Sequence, residues 1–285
     1  MPKERKRITM EKGSLYLVPT PIGNLKDMTF RAVEVLNSVF RIYAEDTRTS
    51  KHLLTHYNIS TPCHSYHKFN EKQRIKEVTS LLESGFSVAI ISDAGTPGIS
   101  DPSNIIVKEC IHTGLNVIPL PGATALIPAV TASGFDSERF IMLGFLPSKK
   151  SESEQVLRKN MQAEMPLILY ESPHRLIETL IFIKEILGDR DICIARELSK
   201  QFESWYRNRI SFFIDNPDEI KIKGEFVLII NRPSKIEITD EDIIQEIRKH
   251  SADLSKKEVS ALVSETLGIS KKTVYNLLIN KGREV

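Results

Sequence analysis

The sequence lacks long apolar stretches and has few cysteines. No run approaches the roughly 18 consecutive apolar residues that a membrane-spanning helix needs, so we expect no membrane association. The basic N-terminal residues are not followed by an apolar segment, which argues against a secretory signal. The three cysteines, Cys63, Cys110 and Cys193, are scattered and form no Cys-x-x-Cys pair. This argues against a disulfide scaffold or a metal site and predicts a cytoplasmic protein.

Several catalytic motifs are also absent. There is no Gly-x-Gly-x-x-Gly and no Gly-x-x-x-x-Gly-Lys-Ser/Thr, which disfavours hydride transfer and nucleotide hydrolysis. His-Glu-x-x-His and Gly-x-Ser-x-Gly are missing too. The net charge is only +2, so a nucleic-acid site would have to be a local patch. The 285 residues, 41% of them hydrophobic and 27% charged, suit a globular chain of about two domains.

The most informative segment present is the loop at residues 92–102, Ser-Asp-Ala-Gly-Thr-Pro-Gly-Ile-Ser-Asp-Pro, directly after an apolar run. Its glycines allow close approach of another molecule, and its prolines stiffen the backbone. Ligands of open α/β sheets bind beyond the carboxyl ends of the strands, where such a loop lies. The alternative is a plain turn with a helix N-cap at Ser100 or Asp101.

Two further loops have the same character. Residues 19–24, Pro-Thr-Pro-Ile-Gly-Asn, follow a strand near 14–18, and residues 120–125, Leu-Pro-Gly-Ala-Thr-Ala, follow a strand near 116–119. Gly122 leaves the start of the next helix bare of side chains. Three rigid loops of small residues after three strands predict one shared pocket.

These loops carry a resemblance to a known family. Pro-Thr-Pro-Ile-Gly-Asn-Leu, Ala-Glu-Asp-Thr-Arg and the 92–102 loop are followed in order by Pro-Gly-Ala-Thr-Ala, Glu-Ser-Pro-His-Arg and Ala-Arg-Glu-Leu. The set resembles bacterial small-subunit ribosomal RNA methyltransferases that modify a cytidine 2′-hydroxyl, within the tetrapyrrole methylase superfamily. It covers roughly residues 13–231. Ser103 departs from the pattern, where members often have glycine.

The resemblance implies two α/β domains with S-adenosylmethionine in the cleft between them. It also implies a homodimer and, as substrate, the 16S rRNA of the small ribosomal subunit. The cofactor contacts that it implies are Pro21, Gly23, Asp93, Gly95, Thr96, Ile99, Thr124, Ala125, Tyr170, Arg196 and Gly224. Local alternatives remain for four of them: Asp93 as a cap, Tyr170 as a core aromatic, Gly224 as a turn residue and Arg196 in a salt bridge with Glu197.

Alternating strand and helix patterns predict an α/β fold with a mostly parallel first sheet. We expect a disordered basic arm over 1–12, a first α/β domain over 13–135 and a second over 136–233. Its strands are predicted near 139–144, 166–171, 191–195, 202–206, 209–214 and 225–231. A tight turn at Arg207-Asn208 would join two of them as an antiparallel hairpin, so this second sheet is predicted to be mixed.

Residues 234–285 form a small helical domain with patterns over 240–249, 255–266 and 270–280. Gly268 suits the end of one helix and Ser270 the N-cap of the next, as in a helix-turn-helix. Lys271 and Lys272 would then contact RNA at the start of the second helix. The alternative is a three-helix bundle without an RNA contact.

The acceptor side has several candidate residues. A ribose hydroxyl is a weak nucleophile and benefits from a base, for which Glu45 and Asp46 are candidates. Arg48 would bind RNA phosphate or hold Asp46, although Asp46 also suits a helix N-cap. Glu171 and Arg175 are predicted to contact RNA at the mouth of the second domain.

Two other functions compete with RNA methylation. One is methylation of a small tetrapyrrole-type molecule, since the superfamily shares this fold. The other is a nucleic-acid-binding regulator whose α/β body only senses a ligand. The helical tail and the basic arm favour the RNA enzyme over the first of these.

Overall fold

The computed structural model describes residues 11–99, 103–233, 240–250, 254–267 and 269–280. The predictions for residues 1–10 of the arm, for Ser100 and Asp101 as caps and for Gly268 as a helix end lie outside the described residues. The chain divides into two compact units, Met1–Pro233 and Ser234–Val285. The first unit contains both sheets. No helix among the described residues is long and apolar enough to cross a membrane.

The first sheet is wholly parallel, in line with the prediction of a mostly parallel sheet. Its strands have the spatial order β3-β2-β4-β1-β5. In chain order they are β1 (Ser14–Val18), β2 (Arg41–Ala44), β3 (Cys63–Ser65), β4 (Val88–Ile91) and β5 (Asn116–Pro119). The helices that connect and follow them are α1 (Phe30–Ser38), α2 (Thr47–His56), α3 (Glu71–Glu83), α4 (Asn104–His112) and α5 (Leu126–Thr131).

Helices cover both faces of this sheet because its strands are apolar on both sides. Val88 and Ile90 pack with α3 and α4, whereas Ala89 and Ile91 pack with α1 and α2. Such continuous apolar strands are typical of a parallel sheet buried on two faces. All five strands therefore end at one edge, where the loops after them meet.

The second sheet is mixed, with the order β6-β7-β10-β8-β9. Its strands are β6 (Ile141–Phe145), β7 (Leu167–Glu171), β8 (Asp191–Arg196), β9 (Ser204–Arg209) and β10 (Phe226–Ile230), and its helices are α6 (Lys150–Lys159), α7 (Leu176–Leu187) and α8 (Ile210–Asp215). Only β6 and β7 pair in parallel. One face packs on these three helices, and the other packs on α5 and on Ile22 from the first half.

The predicted hairpin at Arg207-Asn208 is wrong. Both residues lie inside β9, which pairs with β8 along its whole length, and the predicted strand over 209–214 is helix α8. Ile210 and Phe213 are its buried residues. They are three positions apart, the spacing of one helical face, and this outweighs the strand preference of the apolar run.

The second unit consists of α9 (Asp240–His250), α10 (Lys256–Leu267) and α11 (Lys271–Asn280). They share a small core that includes Ile243, Val259, Val263 and Val274. Ser270 caps α11 as predicted, since its hydroxyl accepts a hydrogen bond from the Thr273 amide at 3.1 Å.

Two neighbouring residues of α7 give a matched test of the second core. Leu180 is fully buried, whereas Ile181 is 41% exposed. We expect Leu180→Ala to lower the free energy of unfolding by about 2–5 kcal/mol, because it leaves a cavity. Ile181→Ala should change it by less than about 1 kcal/mol. Urea unfolding followed through the fluorescence of Trp205, the one tryptophan of the chain, measures both; equal losses would contradict this packing.

Candidate active site

Backbone hydrogen bonds join the loops after β1 and β4. The amide of Thr20 donates to the carbonyl of Gly95 at 2.9 Å, and the amide of Gly95 donates back to Thr20 at the same distance. The Thr20 hydroxyl also donates to the Ser92 carbonyl at 2.9 Å. Because these bonds use the backbone or a small hydroxyl, both loops keep a fixed shape without bulky side chains.

The loop after β5 joins the other two. The Thr96 hydroxyl donates to the carbonyl of Ala123 at 3.0 Å. Gly122 packs against Pro19, so closely that a Cβ added at position 122 would lie 2.6 Å from the proline Cβ. Any larger residue there would separate the two loops. The predicted meeting of three rigid loops is therefore confirmed.

The opposite wall comes from the second half of the unit. Tyr170, on β7, forms a side-chain hydrogen bond with Thr124, and burial raises the pKa of its phenol. Its ring lies 5.5 Å from that of Phe145 at the end of β6. Gly224, in the turn before β10, has φ +95°, which only glycine adopts readily. These residues face the loops after β4 and β5 across a cleft.

The cleft has a volume of about 370 Å³, within the range of small-molecule sites. Its charged lining residues are Glu45, Asp93, Glu171 and Glu225, and no lysine, arginine or histidine lines it among the residues that the structure describes. The rest of the lining is apolar or carries hydroxyl groups. A cleft of this kind favours a ligand with a positive charge and polar groups for hydrogen bonding.

An ion-pair cluster of Lys200, Glu197 and Glu225 lies next to Gly224. The Lys200 ammonium donates to Glu197 Oε1 and to Glu225 Oε2, each at 2.9 Å. Glu197 Oε1 also accepts from the Glu225 amide at 3.0 Å. Lys200 packs on Gly23 of the first half, where an added Cβ would lie 2.2 Å from its Cγ. The cluster therefore connects the Gly224 turn to the loop after β1.

Most of the predicted cofactor residues line the cleft. Asp93, Gly95, Thr96, Ile99, Thr124, Ala125, Tyr170 and Gly224 do so. Pro21, Gly23 and Arg196 do not. Arg196 is buried and donates to the carbonyls of Lys223 at 2.6 Å and of Phe202 at 2.9 Å. It holds the chain beside Gly224 and does not line the cleft, and the ion-pair partner of Glu197 is Lys200 rather than Arg196.

The candidate acceptor residues separate into two groups. Glu45 is exposed and lines the cleft. Asp46 caps α2, accepting from the Arg48 amide at 2.8 Å, and pairs with the Arg48 guanidinium at 2.8 and 3.1 Å. These bonds to Arg48 lower the pKa of Asp46 to about 2. Its amide donates to Asp93 Oδ1 at 3.1 Å, so Asp46 fixes the position of its neighbours.

Glu171 and Arg175, the residues predicted to contact RNA in the second domain, form hydrogen bonds within the protein. Glu171 is buried and accepts from the Ser172 amide at 2.7 Å and the Thr179 hydroxyl at 2.6 Å. Arg175 donates to the Leu146 carbonyl at 3.2 Å and lines a different cavity.

In the second unit, Lys271 and Lys272 are exposed at the start of α11. Among the described residues no group of three or more histidine, cysteine or acidic side chains is placed to hold a metal ion.

Sequence reasoning missed Phe145, Glu225 and Lys200. Phe145 ends a strand at the cleft edge, and that position was a usable signal. Lys200 had no such signal, because its partners Glu197 and Glu225 come together only when β8 and β10 pair.

Comparison with known proteins identifies the family. The model for Tetrapyrrole (Corrin/Porphyrin) Methylases matches residues 14–212. "Ribosomal RNA small subunit methyltransferase I" of Synechocystis sp. is 43% identical over 273 residues, covering 93% of this chain and 97% of the relative. The Bacillus subtilis protein of the same name is 46% identical over 232 residues, covering 81% and 80%.

Solved structures agree on the fold. Uroporphyrin-III C-methyl transferase from Thermus thermophilus, complexed with S-adenosyl homocysteine, superposes with a TM-score of 0.55 at 15% identity and covers 77% of this chain and 97% of its own. The loops of the cleft, the two sheets and the matched sequences lead to one assignment. The chain belongs to the tetrapyrrole (corrin/porphyrin) methylase family and, within it, to the ribosomal RNA small subunit methyltransferase I proteins.

Proposed function

We propose that this protein transfers a methyl group from S-adenosylmethionine to the 2′-hydroxyl of a cytidine in the 16S rRNA of the small ribosomal subunit. The observation that carries the proposal is the cleft: small residues, hydroxyls and four carboxylates line it, and no cation does so among the described residues. A sulfonium compound with an adenosine and an amino-acid end fits this donor set. We further propose that the enzyme is cytoplasmic and acts as a homodimer.

The cofactor would lie against residues that the cleft brings together. Gly95, Thr96 and Thr124 offer backbone and hydroxyl groups on one side, and Tyr170 and Gly224 close the other. When bound, the cofactor supplies an activated methyl group, so the protein's own task is to bind and orient the two reactants. The fixed backbone bonds of the three loops serve that task.

Glu45 is the best-placed acceptor for the ribose proton. Its side chain lines the cleft, whereas Asp46 is not part of the lining and its carboxylate pairs with Arg48 and caps α2. Glu45 would accept the proton that the ribose hydroxyl loses as the hydroxyl oxygen bonds to the methyl carbon and the bond from that carbon to the sulfonium sulfur breaks. Asp46 acts as a positioning residue, because its backbone amide donates a hydrogen bond to Asp93 Oδ1.

Methyl transfer from labelled S-adenosylmethionine to small ribosomal subunits lacking the modification tests the proposal. We expect label in 2′-O-methylcytidine after digestion of the RNA to nucleosides. Label in a tetrapyrrole but not in RNA would favour the small-molecule alternative, and cofactor binding without any transfer would favour a ligand sensor.

Enlarging Thr124 tests the cleft assignment. We expect Thr124→Tyr to weaken S-adenosylmethionine binding by at least about a hundredfold, because the added ring occupies the cleft. Thr124→Ser keeps the hydroxyl and should bind within about threefold of wild type. Isothermal titration calorimetry measures both affinities. Wild-type affinity in the tyrosine variant would place the cofactor elsewhere.

Amide substitutions separate the roles of Glu45 and Asp46. Glu45→Gln should lower kcat by about a hundredfold or more, the range for loss of a general base. Asp46→Asn keeps a capping oxygen and loses an exposed ion pair, so kcat should fall by less than about tenfold. Because its pKa is about 2, Asp46 is ionised at every pH at which the enzyme is assayed. Asp46→Asn should therefore leave unchanged the fall of kcat towards acid pH. The reverse order of the two kcat losses would overturn the assignment.

Charge removal in the second unit tests its RNA contact. The double variant Lys271→Ala, Lys272→Ala should weaken RNA binding and reduce the salt slope of the affinity by about 2, one for each lost phosphate contact. Its matched control is Lys256→Ala, Lys257→Ala, which removes two exposed lysines from α10 of the same unit. Equal effects of the two pairs, in filter binding across a salt series, would support a bundle without a specific RNA contact.

A further inference from the structure

Phe69 is an aromatic side chain that the fold leaves in solvent. It lies in the turn between β3 and α3 and is 96% exposed. Its one ring neighbour among the described aromatic contacts is His67, whose centroid is 6.0 Å away at 65°. An isolated exposed apolar residue needs no explanation, so the argument depends on how the turn is built and what lies beside it.

The turn that carries Phe69 is anchored on both sides. Tyr66 is buried, its amide donates to the Ala44 carbonyl at 2.7 Å, and its hydroxyl bonds Glu71 at 3.1 Å. The Asn70 side chain accepts from the His67 amide at 2.9 Å and donates to the Ser65 carbonyl at 3.1 Å. Phe69 is therefore exposed on a turn whose conformation these hydrogen bonds fix.

The turn lies at the edge of the sheet that holds the cleft. Strand β3 is next to β2, whose end leads to Glu45, and β2 is next to β4, whose end leads to Asp93. Since the strands are parallel, all three loops leave the same edge. Phe69 thus lies beyond Glu45 on the side away from the loop after β1.

Cationic residues stand on the segments that follow β2 and β3. Lys68 is exposed next to Phe69. Arg48, at the start of α2, pairs with Asp46 through Nε and Nη2, and its side chain is 90% exposed, so its other N–H groups face solvent. Lys51 follows one turn along α2, which contains no acidic residue. An exposed ring among cations is the arrangement by which proteins hold single-stranded nucleic acid, with bases stacked on the ring and phosphates on the cations.

We propose that Phe69 is a stacking platform for an unpaired base of the substrate RNA, close to the nucleotide that is modified, with Lys68 and Arg48 binding the adjoining phosphates. This inference rests on the proposed function. The proposal gives the RNA a defined path. The cofactor lies against the loops after β4 and β5, and the RNA strand crosses the ends of β2 and β3.

Four variants test the stacking in the full-length protein. Phe69→Ala should raise the KM for unmethylated small ribosomal subunits by about tenfold or more, as expected for loss of one base–aromatic stack. Phe69→Trp should stay within about threefold of wild type. Phe69→Leu should resemble the alanine variant, because it keeps apolar area but loses the flat ring. Ile111→Ala, an exposed apolar residue near the end of α4 at the opposite edge of the sheet, should have no effect.

Calorimetry with S-adenosylmethionine should give wild-type affinity in all four variants, which shows that the fold and the cleft are intact. A wild-type KM in Phe69→Ala, or full rescue by leucine, would overturn the stacking proposal. If Phe69→Ala changes the sedimentation coefficient, and the change in oligomeric state accounts for the rise in KM, the ring belongs to a contact between copies of the chain. That result would also overturn the stacking proposal. Failure of the wild-type protein to methylate RNA would instead reject the proposed function itself.

Discussion

The pair of backbone hydrogen bonds between Thr20 and Gly95 is the constraint on which the site depends. Glycine-rich loops lose much conformational freedom when they are ordered. Here the loops after β1 and β4 are ordered by each other's backbone, and Thr96 extends the connection to the loop after β5. The protein can therefore build one wall of a cleft from residues that are too small to fill it.

The second wall follows a different rule, because it depends on charge. Glu225 lines the cleft, and the Lys200 ammonium behind it contacts both Glu225 and Glu197. Lys200 itself is not part of the lining, and its ion pairs hold the Glu197 and Glu225 side chains together next to Gly224. Lys200 also connects this wall to Gly23 in the first half, against which its side chain packs.

Much of this architecture could be predicted from the sequence because the local signals agree with the fold. Apolar runs such as Val88–Ile91 end in loops with glycine and proline, and this alternation fixes a parallel sheet whose loops share an edge. The prediction was wrong for the run Ile210–Asp215, because apolar and aromatic residues suit a strand as well as a short helix. Only its packing, with Ile210 and Phe213 against the second core, decides between the two.

The site was predicted less completely than the fold. Loop residues such as Thr96 and Thr124 lie in recognisable motifs, and the structure places both in the cleft. Arg196 lies in a motif as well, yet its guanidinium binds backbone carbonyls next to Gly224. A sequence motif contains residues that contact a ligand and residues that hold those contact residues in place. The motif alone does not distinguish the two kinds.

A crystal structure of the protein with S-adenosylhomocysteine tests the central claim most directly. The account predicts that the ligand lies between the loop carrying Gly95 and Thr96 and the wall formed by Tyr170 and Gly224. Density for the ligand at any other place, with this cleft empty, would contradict it.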